Sequence, residues 1–312
     1  MPHAMHRATL ALHTPLGTPL AGDTLFGQLC WALREAQGEA ALEQCLDGYT
    51  QGQPWLVVSD GFPVGYLPKP TLPALEIFFG LLEDNAAKRK AVKARRWVPV
   101  AQASLGLKAL LAAAVAEPHP AQRAAQAHNT INRLTGTTGT GEFAPYSLPV
   151  TFHATDQRVD LYLVLDTARI SAEHVRYLLE NVGASGFGRD ASTGLGKFSV
   201  IEYVSAVLPA PADPGAWWTL GPCAPQGQGF DPLRSYYRTF TRFGRHGNVH
   251  ALAGQPFKTP VLLAGTGAVF TPAGAFEPRL FIGQGIGGGD LLSKVQSGTV
   301  HQGYAPVLPL VM

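Results

Sequence analysis

The sequence predicts an α+β fold, with a β-α-β-β-α-β unit in the first two-thirds and a β-rich last third. Three observations predict it. Val159, Leu161, Leu163 and Leu165 alternate along residues 158–166, the signature of a half-buried strand. Two amphipathic helices each follow a strand: Leu25, Phe26, Leu29 and Leu33 share one face, as do Val175, Leu178, Leu179 and Val182. Finally, 35 Gly and 25 Pro among 312 residues, with only 15% charged residues, describe a loop-rich chain with few long helices.

Taken in order, residues 7–12 read as the first strand and residues 14–22 as a Pro/Gly loop. Asp23 is a natural N-cap for the first helix. Residues 55–59 read as a strand, with Asp60-Gly61 as the turn after it. Leu67-Pro68-Lys69-Pro70 is extended. Residues 85–97 carry Lys88, Arg89, Lys90, Lys93, Arg95 and Arg96 on a predicted helix, read either as a solvated face or as a phosphate- or partner-facing patch. Residues 104–117 look like an Ala/Leu helix that stops before Pro118. Residues 128–139 are polar, Thr-rich and punctuated by glycine, and precede a strand-prone stretch at 146–153. An extended hairpin arm fits them better than core. Ser171 caps the second helix, which runs to about Val182, and residues 198–204 form the closing strand.

Residues 208–215 are rich in Pro and Ala and serve as the linker, dividing the chain into residues 1–207 and a smaller β-rich unit at 208–312. Strands are expected at 217–220, 236–243, 260–270, 279–283 and 301–310.

Composition excludes several classes. Cys30, Cys45 and Cys223 are scattered with no C-x-x-C pair, which fits a reduced cytosol and argues against a zinc site or disulfide framework. The first twenty residues lack the apolar core of a signal peptide. The most apolar run, residues 109–116, is far short of the roughly 20 residues a membrane span needs. A soluble, cytoplasmic protein is expected, with no membrane partner. A net charge of +2 is too small to prove a nucleic-acid partner, so a basic surface must come from local clustering.

The richest chemistry lies in residues 183–198, where five glycines accompany Arg189, Lys197, Ser192 and Thr193. Such a loop can turn several N–H groups toward an anion. A Walker A reading fails, since it needs glycine at Ala191 and a hydroxyl at Phe198. A loop between helix and strand remains, poised for an extended phosphate backbone; a merely flexible connection is the alternative. Residues 283–290 formally satisfy G-x-G-x-x-G, yet no alternating α/β run surrounds them and no acid follows to hold a ribose. His246 and His250 are four apart, but Gly247-Asn248 between them favours a turn over a metal-binding helix. No catalytic constellation and no cofactor motif is evident. His13 or His128, beside a lysine, could still act as acid and base in a metal-independent ribonuclease. Arg133, Arg189, Lys197, Arg245 and Lys294 lie among glycine and polar loops, where they could hold RNA phosphates. Phe187 is either a stacking ring or a buried loop anchor. Tyr236, Tyr237, Phe240 and Phe243 read as packing rather than base platforms.

Four stretches carry a family resemblance: residues 186–198, residues 23–30 on the first helix, residues 67–70, and residues 129–138. They resemble the subunit-four family of type III-A (Csm) interference complexes, within the RAMP superfamily of CRISPR-associated proteins, and span roughly the first two-thirds of the chain. The resemblance implies two ferredoxin-like, RRM-type units with insertions and glycine-rich loops. It implies a non-catalytic crRNA-binding subunit that grips the 5′ repeat-derived handle. The large polymerase/cyclase-type subunit and a backbone RAMP subunit would be its partners, with target RNA nearby. The 129–138 arm would match the family's projecting thumb. The candidate RNA-binding set is then Lys69, His128, Asn129, Arg133, Gly186, Phe187, Gly188, Arg189, Ser192, Thr193, Gly194, Gly196, Lys197, Arg245 and Lys294, with no catalytic residue, metal or cofactor. Two features depart from the family: modest basicity, which implies that RNA is shared with neighbouring subunits, and an Ala/Pro-rich region around residue 100. A crRNA-processing endoribonuclease of the same superfamily is the alternative. That class keeps its glycine-rich loop near the C-terminus, whereas the clearest loop here is internal.

Overall fold

The computed structural model describes residues 3–73, 86–154, 157–247 and 257–312. Strand β1 (His3–Leu12) leads into α1 (Gly22–Gln37) and α2 (Glu39–Leu46), then β2 (Leu56–Val58) and β3 (Phe62–Pro63). Strands β4 (Tyr66–Pro68) and β5 (Trp97–Pro99) pair antiparallel, with α3 (Ala86–Ala94) between them and α4 (Leu107–Ala112) after them. Next come β6 (Gln122–His128), β7 (Ile131–Asn132), β8 (Thr137–Thr138) and β9 (Tyr146–Phe152). The first half closes with β10 (Arg158–Asp166), α5 (Ala172–Ser185) and β11 (Phe198–Ser205).

The first sheet has the spatial order β11-β1-β10-β2, with β3 beside β10, and every pairing is antiparallel. That is the strand order of a ferredoxin-like unit, built from the β-α-β-β-α-β succession read in the sequence. The expectation for β10 needs correcting, because eight consecutive residues of it are buried rather than every second one. Continuous burial requires cover on both faces. Helices α1 and α5 pack together over this sheet, while the last strand of the chain approaches β2 and β10.

Helix α1 also begins differently from the prediction. Its cap residue is Ala21, whose methyl group cannot accept a hydrogen bond. Asp60, in the turn after β2, instead accepts the Gly22 N–H at 2.7 Å. Asp23 turns inward and pairs with Arg242 at 2.7 Å. Ser171 does cap α5, accepting the His174 N–H at 3.2 Å. Helix α4 is six residues long, not fourteen, because Val115 bridges back to Trp97 through N–H···O bonds of 2.8 and 3.1 Å. Pairing with β5 overrides the helix preference of the Ala/Leu run.

The remaining strands are β12 (Ala216–Thr219), β13 (Thr239–Arg242), β14 (Val261–Ala264), β15 (Val269–Phe270), β16 (Phe281–Gly283), β17 (Ile286–Gly287), β18 (Val300–His301) and β19 (Tyr304–Leu310). The run expected as one strand at 260–270 is two, split at a turn that Gly267 makes with φ +84°. The run at 301–310 is likewise broken, at Gln302-Gly303. A four-stranded sheet of order β15-β12-β19-β16 organises this half, and no helix lies in it among the described residues. The architecture is thus α+β, with one ferredoxin-like sheet and one sheet without helices. Trp218, Leu220, Tyr304, Leu308 and Leu310 belong to the same continuous core as Leu10, Leu25 and Trp55. At its centre Tyr49 stacks on Phe26 at 5.0 Å and meets the Tyr304 ring edge-on at 5.2 Å. Each fully buried ring of this kind contributes about 2–3 kcal/mol.

Candidate functional site

The loop from α5 to β11 begins where Gly186 ends the helix at φ +101°, its N–H returning to Val182 O at 2.8 Å. Phe187 is fully buried. Of its two readings the loop anchor holds, because a ring with no exposed face cannot stack on a base. Its N–H donates to Gly196 O at 2.9 Å, so the two ends of the loop are clamped together. Gly196 must be glycine: φ is +73° and a Cβ would sit 2.1 Å from Phe187 O.

Most of the loop's amides are spent inside the protein. Those of Arg189 and Lys197 donate to Thr18 Oγ1 (3.0 Å) and Thr14 Oγ1 (2.8 Å), and Gly196 N–H donates to Pro15 O (2.9 Å). Thr193 and Leu195 N–H both donate to Asp190 O. The broad anion cradle expected from five glycines is therefore narrower than its composition implied. Three consecutive amides, of Asp190, Ala191 and Ser192, donate to no acceptor among the described residues. Asp190 is the one described non-glycine residue with positive φ (+61°), and a 3₁₀ turn over Ala191–Thr193 follows it. A left-handed residue followed by a right-handed turn aims successive N–H groups the same way. Ser192, Thr193 and Lys197 are exposed around this turn.

Beside the loop rises a two-stranded arm. β6 and β9 pair from Gln122↔Phe152 out to His128↔Tyr146, and β7–β8 continues it as a smaller hairpin. This is the extended hairpin read in the sequence. Its root is tied to the loop region twice: Leu16 bridges Thr151, and the Arg189 guanidinium donates to Pro149 O. His128 stacks on Tyr146 with centroids 4.9 Å apart. It lies five ladder positions beyond Thr151, about 17 Å at ~3.4 Å per residue. Asn129 and Arg133 are exposed near the tip, where Ile131 and Leu134 are exposed too. His13 stays at the loop end, its N–H on Lys197 O at 2.9 Å and its ring 2.9 Å from Ser199 Oγ. The two histidines singled out for acid–base work thus sit on different elements.

The rest of the candidate set is dispersed. Lys69 is half-buried and its Nζ donates to Val92 O at 3.3 Å; burial, then Arg238 and Arg95, holds its amine below the usual lysine value. Arg245 lies over the Phe257 ring at 5.9 Å, and the exposed Lys294 borders the same small cleft as Phe257. His246 is buried against Ser293 Oγ at 3.0 Å, while His250 falls outside the described residues. Among the described residues no group of three or more His, Cys, Asp or Glu is placed to hold a metal ion, and no helix is long and apolar enough to cross a membrane. Tyr236 and Phe240 are half-buried in packing, whereas Phe243 is exposed.

No protein-family model and no curated relative matches the chain. Solved structures do. A chain of the Csm1–Csm4 cassette crystallised with pppApA superposes with a TM-score of 0.60 at 17% identity, over 100% of this chain and 99% of that one. A chain of the Csm3–Csm4 subcomplex of the type III-A CRISPR–Cas interference complex gives 0.58 at 11% identity, over 98% and 100%. The subunit common to both assemblies is Csm4. This chain has the Csm4 fold.

The Csm4-like fold makes sense of one expectation and exposes one omission. Loop and arm, more than 30 residues apart in sequence, come together because β1 and β11 are neighbours and β9 returns onto Leu16. Sequence reading missed the cleft at the root of that arm, lined by Trp97, His153 and Gln157 among others. Its walls come from five separate stretches, so no local motif could mark it.

Proposed function

We propose that the chain is an RNA-binding subunit of a type III-A effector complex in the cytoplasm. It grips the 5′ repeat-derived handle of the crRNA and links the large polymerase/cyclase-type subunit to the backbone RAMP subunits. One observation carries the reading: the fold matches, end to end, the subunit that appears both with Csm1 and with Csm3. The site geometry supports it. Three amides at 190–192 without an acceptor among the described residues and the exposed Lys197 suit phosphates, while the arm beside them carries Asn129, Arg133 and apolar tip residues. In this reading the sheet without helices is the second RRM-type unit, residues 208–312, reduced to strands. Target RNA passes near the arm.

The role is non-catalytic. One observation favours a second reading, that of a crRNA-processing ribonuclease: His13 and Lys197 are neighbours through a backbone hydrogen bond. Purifying the chain with its neighbouring subunits and resolving the bound nucleic acid on a denaturing gel tests the first reading. Discrete short RNAs sharing one 5′ sequence are expected, and absence of RNA at low salt would overturn it. Incubating the chain with repeat-containing precursor RNA tests the second. Site-specific cutting that disappears in His13→Ala or His128→Ala would replace the structural role with an enzymatic one.

A further inference from the structure

A cleft of about 430 Å³ opens where α1 and α2 face loops of the second half, and none of its lining residues belongs to the candidate RNA-binding set. That volume lies within the range of small-molecule sites, which are mostly apolar with a few polar groups converging on them. The apolar part here is Phe26, Cys30, Leu42, Leu46 and Val300. Leu42, Leu46 and Val300 are only half-buried against the core, so part of each side chain is left to the opening. The glycine-rich stretch at 283–290, whose G-x-G-x-x-G match was only formal, helps to close another wall. Gly288 N–H donates to Thr299 O at 3.1 Å, and Gly298 N–H donates to Gly289 O at 3.0 Å.

One charged group in this cleft lacks a counterpart. Lys258 lines it, half-buried, and its ammonium donates to no acceptor and pairs with no carboxylate among the described residues. Burial is the main influence on the amine and holds it below the usual lysine value, with Cys30 acting the other way. Cys30 supplies no anion, because burial pushes its thiol up to about 12 and leaves it uncharged near neutral pH. A desolvated cation without an anion beside it is costly, and an anionic group bound there would remove that cost. The carboxylates of the cleft stand at its exposed rim: Glu39 is taken by Arg34 at 3.0 Å, and Glu43 and Asp47 face solvent. They would repel a chain of phosphates such as RNA. A single anionic group at Lys258, with apolar atoms between it and the rim, avoids that repulsion.

We propose that the cleft formed by α1, α2, Lys258 and the 296–300 loop binds a small organic anion, its charged group at Lys258 and its apolar body against Leu42, Leu46 and Val300. The proposal is independent of the RNA-binding reading above and gives the chain a second ligand site.

The test uses the full chain with two fluorescent probes. Anilinonaphthalene sulfonate is an aromatic ring system carrying one anionic charge, and phenylnaphthylamine has the same rings without the charge. The sulfonate is expected to bind once per chain, about tenfold or more tightly than the neutral probe. Lys258→Met should weaken the sulfonate about tenfold or more, the usual scale for one charge-assisted hydrogen bond, and leave the neutral probe unchanged. Lys258→Arg should keep most of the affinity. Leu42→Asn should weaken both probes. Unchanged melting temperatures establish that the variants fold, and the lysine variants decide alone if Leu42→Asn does not. RNA binding, measured in parallel, should be the same in Lys258→Met as in the unaltered chain. Equal binding of the two probes, or sulfonate binding that survives Lys258→Met, overturns the proposal. If Lys258→Met weakens RNA binding as much as sulfonate binding, the lysine serves RNA and the proposal falls as well. Absence of RNA binding by the unaltered chain, with the probes behaving as expected, would sink the RNA reading and leave this one standing.

Discussion

The side chain of Gln302 pairs with both backbone groups of Val58. Val58 N–H donates to Gln302 Oε1 at 2.9 Å, and Gln302 Nε2 donates to Val58 O at 2.8 Å. A glutamine between β18 and β19 thus completes the hydrogen bonding of β2 in the other sheet, 244 residues away. Gln302 is fully buried and so is Val58. The joint between the sheets is accordingly specific in direction as well as apolar.

Replacing Gln302 with alanine leaves a buried N–H and a buried C=O without partners. At roughly 1–3 kcal/mol for each unpaired group, the loss should be about 2–6 kcal/mol in urea denaturation. Gln302→Glu should cost more, because a carboxylate oxygen would face Val58 O. A loss below about 1 kcal/mol for the alanine variant would show that the sheets do not depend on this pair.

The glycine-rich loop predicts a sharp contrast between two of its glycines. Gly196→Ala places a Cβ against Phe187 O and forces apart the clamp that closes the loop, so it should cost about 3 kcal/mol or more. Gly194 has φ +100° but nothing within 4 Å of a built Cβ. Gly194→Ala should then cost only the backbone penalty, about 1–2 kcal/mol. Denaturation of the two variants side by side checks the order; equal costs would mean that the close approach at Gly196 is easily relieved.

The frame of the first sheet was legible because its signals are local and periodic. The β10 alternation and the stripes of α1 and α5 each fit within a dozen residues, and Ser171 announced its helix directly. What the sequence hid depends on distant partners. Nothing near Asp23 shows that Arg242 and His301 will draw it inward, or that Asp60 will take over at the helix start. Glycine content likewise revealed the loop but not where its amides point. Thr14, Pro15 and Thr18 consume several of them from 170 or more residues upstream.

Asp60 carries a pH prediction. Burial of its carboxyl is the largest influence and pushes it up to about 6. The Thr266 hydroxyl and Gly22 N–H pull the other way without overcoming it, and Asp23 adds to the rise. The folded chain then holds more protons at this group than the unfolded chain between about pH 4 and pH 6. Its contribution to stability is fully present below that window and is lost as the pH rises through 6. Asp23 behaves oppositely: burial alone would raise its carboxyl, but His301 and Arg242 together hold it below 3.8, so its contribution is lost only as the pH falls further. Asp60→Asn should remove the first dependence. The stability difference between native and variant chains, measured from pH 4 to pH 7, should shift in favour of the variant as the pH rises. A difference that stays constant across that range would contradict the raised carboxyl.

Arg189 and Lys197 look interchangeable in the sequence but not in the fold. The Arg189 guanidinium is occupied, donating to Pro149 O and lying 3.4 Å from the Asp190 carboxylate, so it ties the loop to the arm. The Lys197 ammonium is exposed and has no partner among the described residues. Lys197→Ala should therefore leave the melting temperature unchanged, weaken RNA binding, and reduce the slope of log affinity against log salt by about one unit, as expected when one phosphate contact is lost. Arg189→Ala should instead lower the melting temperature and loosen the arm root, seen as faster amide exchange at residues 150–152. Its effect on RNA would follow from the displaced arm, with little change in salt slope. If the two variants show the same salt dependence and the same stability, the division between a phosphate-facing lysine and an arm-holding arginine is wrong.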